Sequence, residues 1–137
     1  MPNWTPRLTN VKGSDMSTAT GVYARSGDVV AFTATVNPGV GVESADSTGF
    51  GLTLPVPAKA GARYVFELSV DGRDVDHGIW AGQAQVYAGS DGAAIDRLRL
   101  PGGVNGDALK NITGFYGPGE AGAAGEILTV TGVYVAA

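Results

Sequence analysis

Residues 28–36 alternate with a period of two. Val30, Phe32, Ala34 and Val36 fall on one face and Thr33 and Thr35 on the other. Residues 63–70 repeat the pattern, with Tyr64, Phe66, Leu68 and Val70 against Glu67 and Ser69. Residues 80–86 set Trp80, Gly82, Ala84 and Val86 against Gln83 and Gln85. A period of two sends successive side chains to opposite sides of an extended backbone. These segments therefore predict antiparallel strands with one face on a core and one in water. Shorter alternations predict strands at 20–25, 50–54 and 95–100. The first joins 28–36 through Ser26-Gly27, the second is stopped by Pro55 and Pro57, and the third sets Arg97 and Arg99 opposite Leu98 and Leu100. Residues 8–11 and 112–115 carry fainter strand signals.

The last predicted strand, 127–135, is rich in β-branched residues and tyrosine. It carries Leu128, Val130 and Tyr134 on one face and Ile127, Val133 and Val135 on the other. Both faces are apolar, so both are expected to be covered. A central strand with a layer on each side would do this, and so would association of copies of the chain.

Between the strands stand Asn37-Pro38-Gly39, Asp71-Gly72, Asp91-Gly92 and Pro101-Gly102-Gly103, which supply fixed or positive φ where the chain reverses. No amphipathic helix is predicted, and residues 121–124 read as loop. The expected fold is all-β: one antiparallel, jelly-roll-like β-sandwich over residues 1–137, with an N-terminal arm at 1–12. No linker, repeat or charged run divides it, and no segment is expected to remain for an anchor or stalk.

Composition narrows the function. The chain has 137 residues, 44% apolar and only 16% charged, which is the balance of a folding chain. The net charge is −4 and the nine basic residues are dispersed, so nucleic acid is not an expected partner. There is no cysteine, which excludes disulfides, thiolate metal sites and a cysteine nucleophile. The first residues show no basic stretch followed by an apolar one, and no apolar run approaches about 18 residues. Synthesis in a bacterial cytoplasm, without membrane insertion, is the expectation.

Candidate chemistry is sparse. His77, the single histidine, lies in Asp74-Val75-Asp76-His77-Gly78, and the chain has no Gly-x-Ser-x-Gly nucleophile turn. Asp71, Asp74 and Asp76 are spaced unlike an EF-hand loop; they read as a polar hairpin tip, with a calcium loop as the alternative. No pair among the 13 acids stands out as a glycosidase dyad. The glycine runs at 117–119 and 122–125 lack the strand-then-helix context of a phosphate loop. No catalytic, cofactor-binding or metal residue is assigned, no cofactor is expected, and the chain is read as a non-enzyme. Trp80 is expected in the core. Tyr23 and Tyr87 are predicted outward, with Arg25 near Tyr23. The candidate interface residues are Trp4, Tyr23, Arg25, Tyr87, Ile127, Val133 and Val135.

Five segments carry a family resemblance. They are Trp4-Thr5-Pro6 with Leu8-Thr9-Asn10; Gly21-Val22-Tyr23-Ala24-Arg25-Ser26-Gly27-Asp28-Val29-Val30; Gly51-Leu52-Thr53-Leu54-Pro55-Val56-Pro57; Trp80-Ala81-Gly82-Gln83-Ala84; and Ala124-Gly125-Glu126-Ile127-Leu128 with Gly132-Val133-Tyr134. In this order the chain resembles the β-sandwich surface proteins of tailed-phage virions, notably phages of actinobacteria. That family includes the C-terminal domains of minor tail or fibre proteins and small capsid-decoration proteins. The resemblance implies a sandwich, often trimeric, on the virion surface, with no cofactor and no catalytic residues. Its implied partners are the major capsid protein or other virion proteins and further copies of the chain. The absence of a leading anchor segment favours head decoration. A tail-tip or fibre module that holds a host glycan is the alternative.

Overall fold

The structure, a computed structural model, describes residues 2–13, 18–39, 41–72, 79–101, 109–115 and 126–137. Within them the chain forms β1 (Asn3–Trp4), β2 (Leu8–Thr9), β3 (Thr18–Ser26), β4 (Val29–Asn37), β5 (Gly51–Thr53) and β6 (Tyr64–Asp71). It continues through β7 (Ile79–Val86), β8 (Ala94–Ile95), β9 (Arg97–Pro101), β10 (Leu109–Asn111) and β11 (Ile127–Val135). No described residue is helical. All pairings are antiparallel. They build an eight-stranded sheet in the order β1-β3-β4-β11-β6-β7-β9-β10 and a three-stranded sheet in the order β2-β5-β8. The fold is the expected all-β sandwich.

The alternation works as elementary sterics require. Val30, Phe32, Ala34 and Val36 of β4 are buried, as are Phe66, Leu68 and Val70 of β6 and Leu128, Val130 and Tyr134 of β11. They meet Phe50, Leu52 and Ile95 from the small-sheet side in one core that runs from Leu8 to Ala136. Phe32 packs edge-on against Phe66 at 5.0 Å between ring centres, and Phe50 stacks on Phe115 at 4.9 Å. Burying each such side chain stabilises the fold by about 1.5–3 kcal/mol. The Tyr134 hydroxyl keeps a partner inside: it donates to the Val56 carbonyl (2.7 Å) and accepts from the Val56 N–H (3.3 Å). Burial pushes its pKa up, because the phenolate would lose its hydration there.

β3 and β4 close through a two-residue turn, with Ser26 opposite Val29 and positive φ at Gly27 (58°). Glycine accepts that φ without a Cβ clash. The segment expected as an N-terminal arm is woven into both layers: β1 pairs with β3 of the large sheet, and β2 with β5 of the small one.

Three expectations are corrected. The strand expected at 95–100 is broken at Asp96, where the chain leaves the small sheet for the large one. Asp96 N–H donates to the Gln85 carbonyl, and its carboxylate accepts from the Tyr87 N–H. This break lets Ile95 and Leu98, which differ in parity, both reach the core. The strand expected at 112–115 lies earlier, at β10; Ile112 and Phe115 are buried, and Gly114 bridges to Glu43 outside any strand. Gln85, expected on the wetter face, is 5% exposed. β11 is central, between β4 and β6, and among the described residues a layer covers only one of its faces: Val133 is 58% exposed and Val135 38%, which leaves association of copies as the expected cover for the other.

Candidate functional site

The outer face of the large sheet has two unlike halves. In the first, cross-strand register aligns β3, β4 and β11 into four rows: Thr20-Thr35-Thr129, Val22-Thr33-Thr131, Ala24-Ala31-Val133 and Ser26-Val29-Val135. None of these twelve side chains is ionisable, and the hydroxyls of Thr33 and Thr131 lie 3.3 Å apart. Val22 and Val29 are 42% and 49% exposed. Small outward side chains leave shallow depressions here. One of about 250 Å³ lies among Val22, Ala31, Thr33, Thr131 and Val133, and one of about 440 Å³ lies beside it among Glu67, Ser69, Ala81 and Thr129.

The second half lies on β7, β9 and β10. Its outward positions include Gln83, Gln85, Arg97, Arg99 and Asn111, with the exposed Ile79 at the far end of β7, and Tyr87 continues the same parity beyond β7. Both guanidinium carbons sit near one ring: Arg97 Cζ is 5.2 Å and Arg99 Cζ 5.9 Å from the Tyr87 centroid. Arg99 donates from Nη2 to the Tyr87 hydroxyl (2.6 Å) and from Nε to Asn111 Oδ1 (2.8 Å). Arg97 donates from Nη1 to the Asp96 carbonyl (2.9 Å). Such contacts fix planar donors in place, which suits recognition of carboxylate or phosphate.

Ile127, Val133 and Val135 lie on the outer face as predicted, half-buried at Ile127 and exposed at the valines. Tyr87 is outward and half-buried. Tyr23 is not outward. It stands opposite Phe32, which lines the core, and its ring meets Trp4 edge-on at 6.0 Å. The reason lies in the register, which gives Tyr23 the core-side parity of β3. Trp4 is also an inside residue, lying over Gly21, where an added Cβ would come within 2.5 Å of the indole. Arg25 is exposed and turns back onto its own hairpin, donating to the Gly27 carbonyl (2.9 Å) and lying 3.9 Å from Asp28. The seven candidates therefore do not form one surface. Trp4, Tyr23 and Arg25 belong to the β1–β3 edge, Ile127, Val133 and Val135 to the neutral half, and Tyr87 to the polar half.

No family profile, curated protein or solved structure matches this chain. What can be said of function therefore rests on its surfaces.

Sequence reasoning missed Arg97, Arg99, Gln83 and Asn111 as a group around Tyr87. The signal was present: Gln83, Gln85 and Tyr87 share a parity, as do Arg97 and Arg99. Only the pairing of β7 with β9 shows that the two sets adjoin. His77, Asp74 and Asp76 lie outside the described residues, and Asp71 is exposed at the end of β6. Among the described residues, no three His, Asp or Glu side chains converge as a metal site requires. The best-connected exposed carboxylate, Asp46, accepts from Thr48 and Asn10, and these hydrogen bonds hold its pKa below the usual value.

Proposed function

We propose that this chain is a non-enzymatic structural protein of a tailed-phage particle, a decoration protein that docks on the outside of the head. The observation that carries this reading is the uncharged outer face of β3, β4 and β11 in a chain of net charge −4. Docking these rows strips water from valine and alanine without dehydrating an ion of their own, so the valine and alanine rows gain from burial while the threonine hydroxyls need partners across the contact. Like-charged copies, or a capsid subunit of either sign, can approach it without repulsion across the contact. Two partners follow: further copies of the chain, as a trimer, and the major capsid protein. The family resemblance supports the virion setting and the trimer.

The test is to purify particles from infected cells and count the chain by quantitative mass spectrometry, with a labelled copy imaged on the particle. Hundreds of copies spread over the head are expected. Absence from assembled particles would overturn the reading.

A second reading is favoured by the Tyr87–Arg97–Arg99 cluster. It makes the chain a tail-tip or fibre module that recognises a host surface glycan. In the same count it would appear as a handful of copies located on the tail.

A further inference from the structure

We propose that the outer face of β7, β9 and β10 around Tyr87 is a binding site for an acidic glycan, an oxyanion carried on a polyhydroxyl chain. This names the ligand class for the receptor reading and rests on that reading only for the site's place on a particle.

The argument begins with charge. Two guanidinium groups lie within 6 Å of one phenol ring, at 5.2 and 5.9 Å. The chain has more acids than bases, yet among the described residues neither arginine has a carboxylate within ion-pairing distance. The nearby carboxylates act on the arginines only at a distance, Asp46 through its charge on Arg97, and neither pairs with a guanidinium. Asp96 accepts from the Tyr87 backbone N–H (2.8 Å), and Asp46 accepts from Thr48 and Asn10. Two cations on one ring, neither paired with a carboxylate, favour an oxyanion on the face they share.

Geometry adds preorganisation. Tyr87 and Asn111 hold Arg99, and the Asp96 carbonyl and the Tyr87 ring hold Arg97. Among the described residues these bonds leave Arg97 Nε and Nη2, and Arg99 Nη1, with no acceptor. The Tyr87 oxygen accepts from Arg99, so its own proton remains free to be donated. Ordering two long side chains before the ligand arrives reduces the entropy lost on binding.

The hydroxyl requirement comes from the amides. Gln85 is 5% exposed and stands directly opposite Arg97. Its Nε2 donates to Gln83 Oε1 (2.9 Å), and its Oε1 is buried with no partner. A buried acceptor without a donor is unfavourable by about 1–3 kcal/mol. Gln85 Oε1 is closed to solvent, so no ligand meets it in this arrangement; the ligand-facing amide is that of Gln83, which offers its N–H. Free cationic donors flanked by a neutral amide N–H and a phenol O–H match an oxyanion carried on a hydroxyl-bearing chain.

The test is a calorimetric titration of the isolated full chain with five probes: oligogalacturonate, a glycerol-phosphate oligomer, neutral dextran oligomers, inorganic phosphate and oligoglutamate. The two acidic polyhydroxyl arms tell a carboxylate source from a phosphate source. At least one should bind, at least tenfold more tightly than dextran, phosphate or oligoglutamate, and more weakly as salt rises. Arg99→Gln and Arg97→Gln should each reduce its affinity at least tenfold, with an unchanged far-UV spectrum. Among the described residues Arg97 makes a single side-chain hydrogen bond, to a neighbouring carbonyl, so its variant keeps the test decisive if Arg99→Gln unfolds. Three results would each overturn the proposal: no binding by either acidic oligomer, equal binding by inorganic phosphate or oligoglutamate, or full affinity in the double variant. Because this assay uses no particle, its failure is distinct from a failure to find the chain on virions.

Discussion

β11 carries apolar side chains on both faces, with opposite fates. Leu128, Val130 and Tyr134 point inward and are buried by the second sheet. Thr129, Thr131, Val133 and Val135 point outward, and the two valines remain well exposed. Nothing in the local backbone distinguishes these faces, because both belong to one regular strand between β4 and β6. The difference is whether a second layer lies opposite. A covered face fixes the fold. An uncovered face of valine and threonine is available to another molecule.

Adjacent substitutions test this contrast, in descending order of effect on stability. Gly132→Val places new atoms on the inner face, where even a Cβ would lie 2.2 Å from the Phe66 ring. That ring is held by Phe32 and Tyr134 and has little room to yield. A loss of about 3 kcal/mol is expected in urea unfolding, the upper part of the overpacking range. Tyr134→Phe keeps the inner packing but leaves the Val56 carbonyl without its donor, for a loss of about 1–3 kcal/mol. It should also change the alkaline limb. The Tyr134 pKa is raised in the fold, so its contribution is complete below the unfolded value of 10.0 and is lost as pH rises through the folded one. Unfolding scans above pH 10 should therefore steepen less in the variant than in the parent.

On the outer face the expected effects are smaller. Thr131→Ala removes one cross-strand threonine pair and should destabilise by about 0.2–1 kcal/mol. Val133→Arg, next to Gly132 in sequence, should shift stability by no more than about 0.5 kcal/mol. Its effect should appear instead in sedimentation of the free chain and in attachment to particles, both of which a buried arginine would oppose. If Val133→Arg unfolded the monomer, the outer face would be part of the core and the contrast would be lost.

Much of this architecture was legible in the residues. The inward sets on β4, β6 and β11 follow from parity alone, and the β3–β4 hairpin from Ser26-Gly27 beside two strand-forming runs. Parity could not reveal pairing partners. Tyr23 was therefore placed outward, although its register with Phe32 turns it toward Trp4. The break at Asp96 was hidden because Ile95 to Leu100 alternates acceptably as one strand, while the transfer between sheets depends on Asp96 docking to Gln85 and Tyr87. The polar cluster escaped for the same reason: Tyr87 and Arg99 are twelve residues apart in sequence and meet only through β7–β9 pairing.

The position of β11 in the sheet order also has a kinetic meaning. Its neighbours β4 and β6 are not hydrogen-bonded to each other, and one of the contacts that join it to β4, Thr33 to Thr131, spans 98 residues of chain. On a ribosome, β3–β4 and β6–β7 can form as hairpins while residues 127–135 are still unmade, but they remain separate ribbons with raw edges. Closure waits for the latest strand to slide between the earlier ones, a long-range step of the kind that makes β-topologies slow to fold. The rows of valine and threonine shared by β3, β4 and β11 do not exist before that moment. A nascent chain thus has no completed sticky face to offer its siblings on the same polysome.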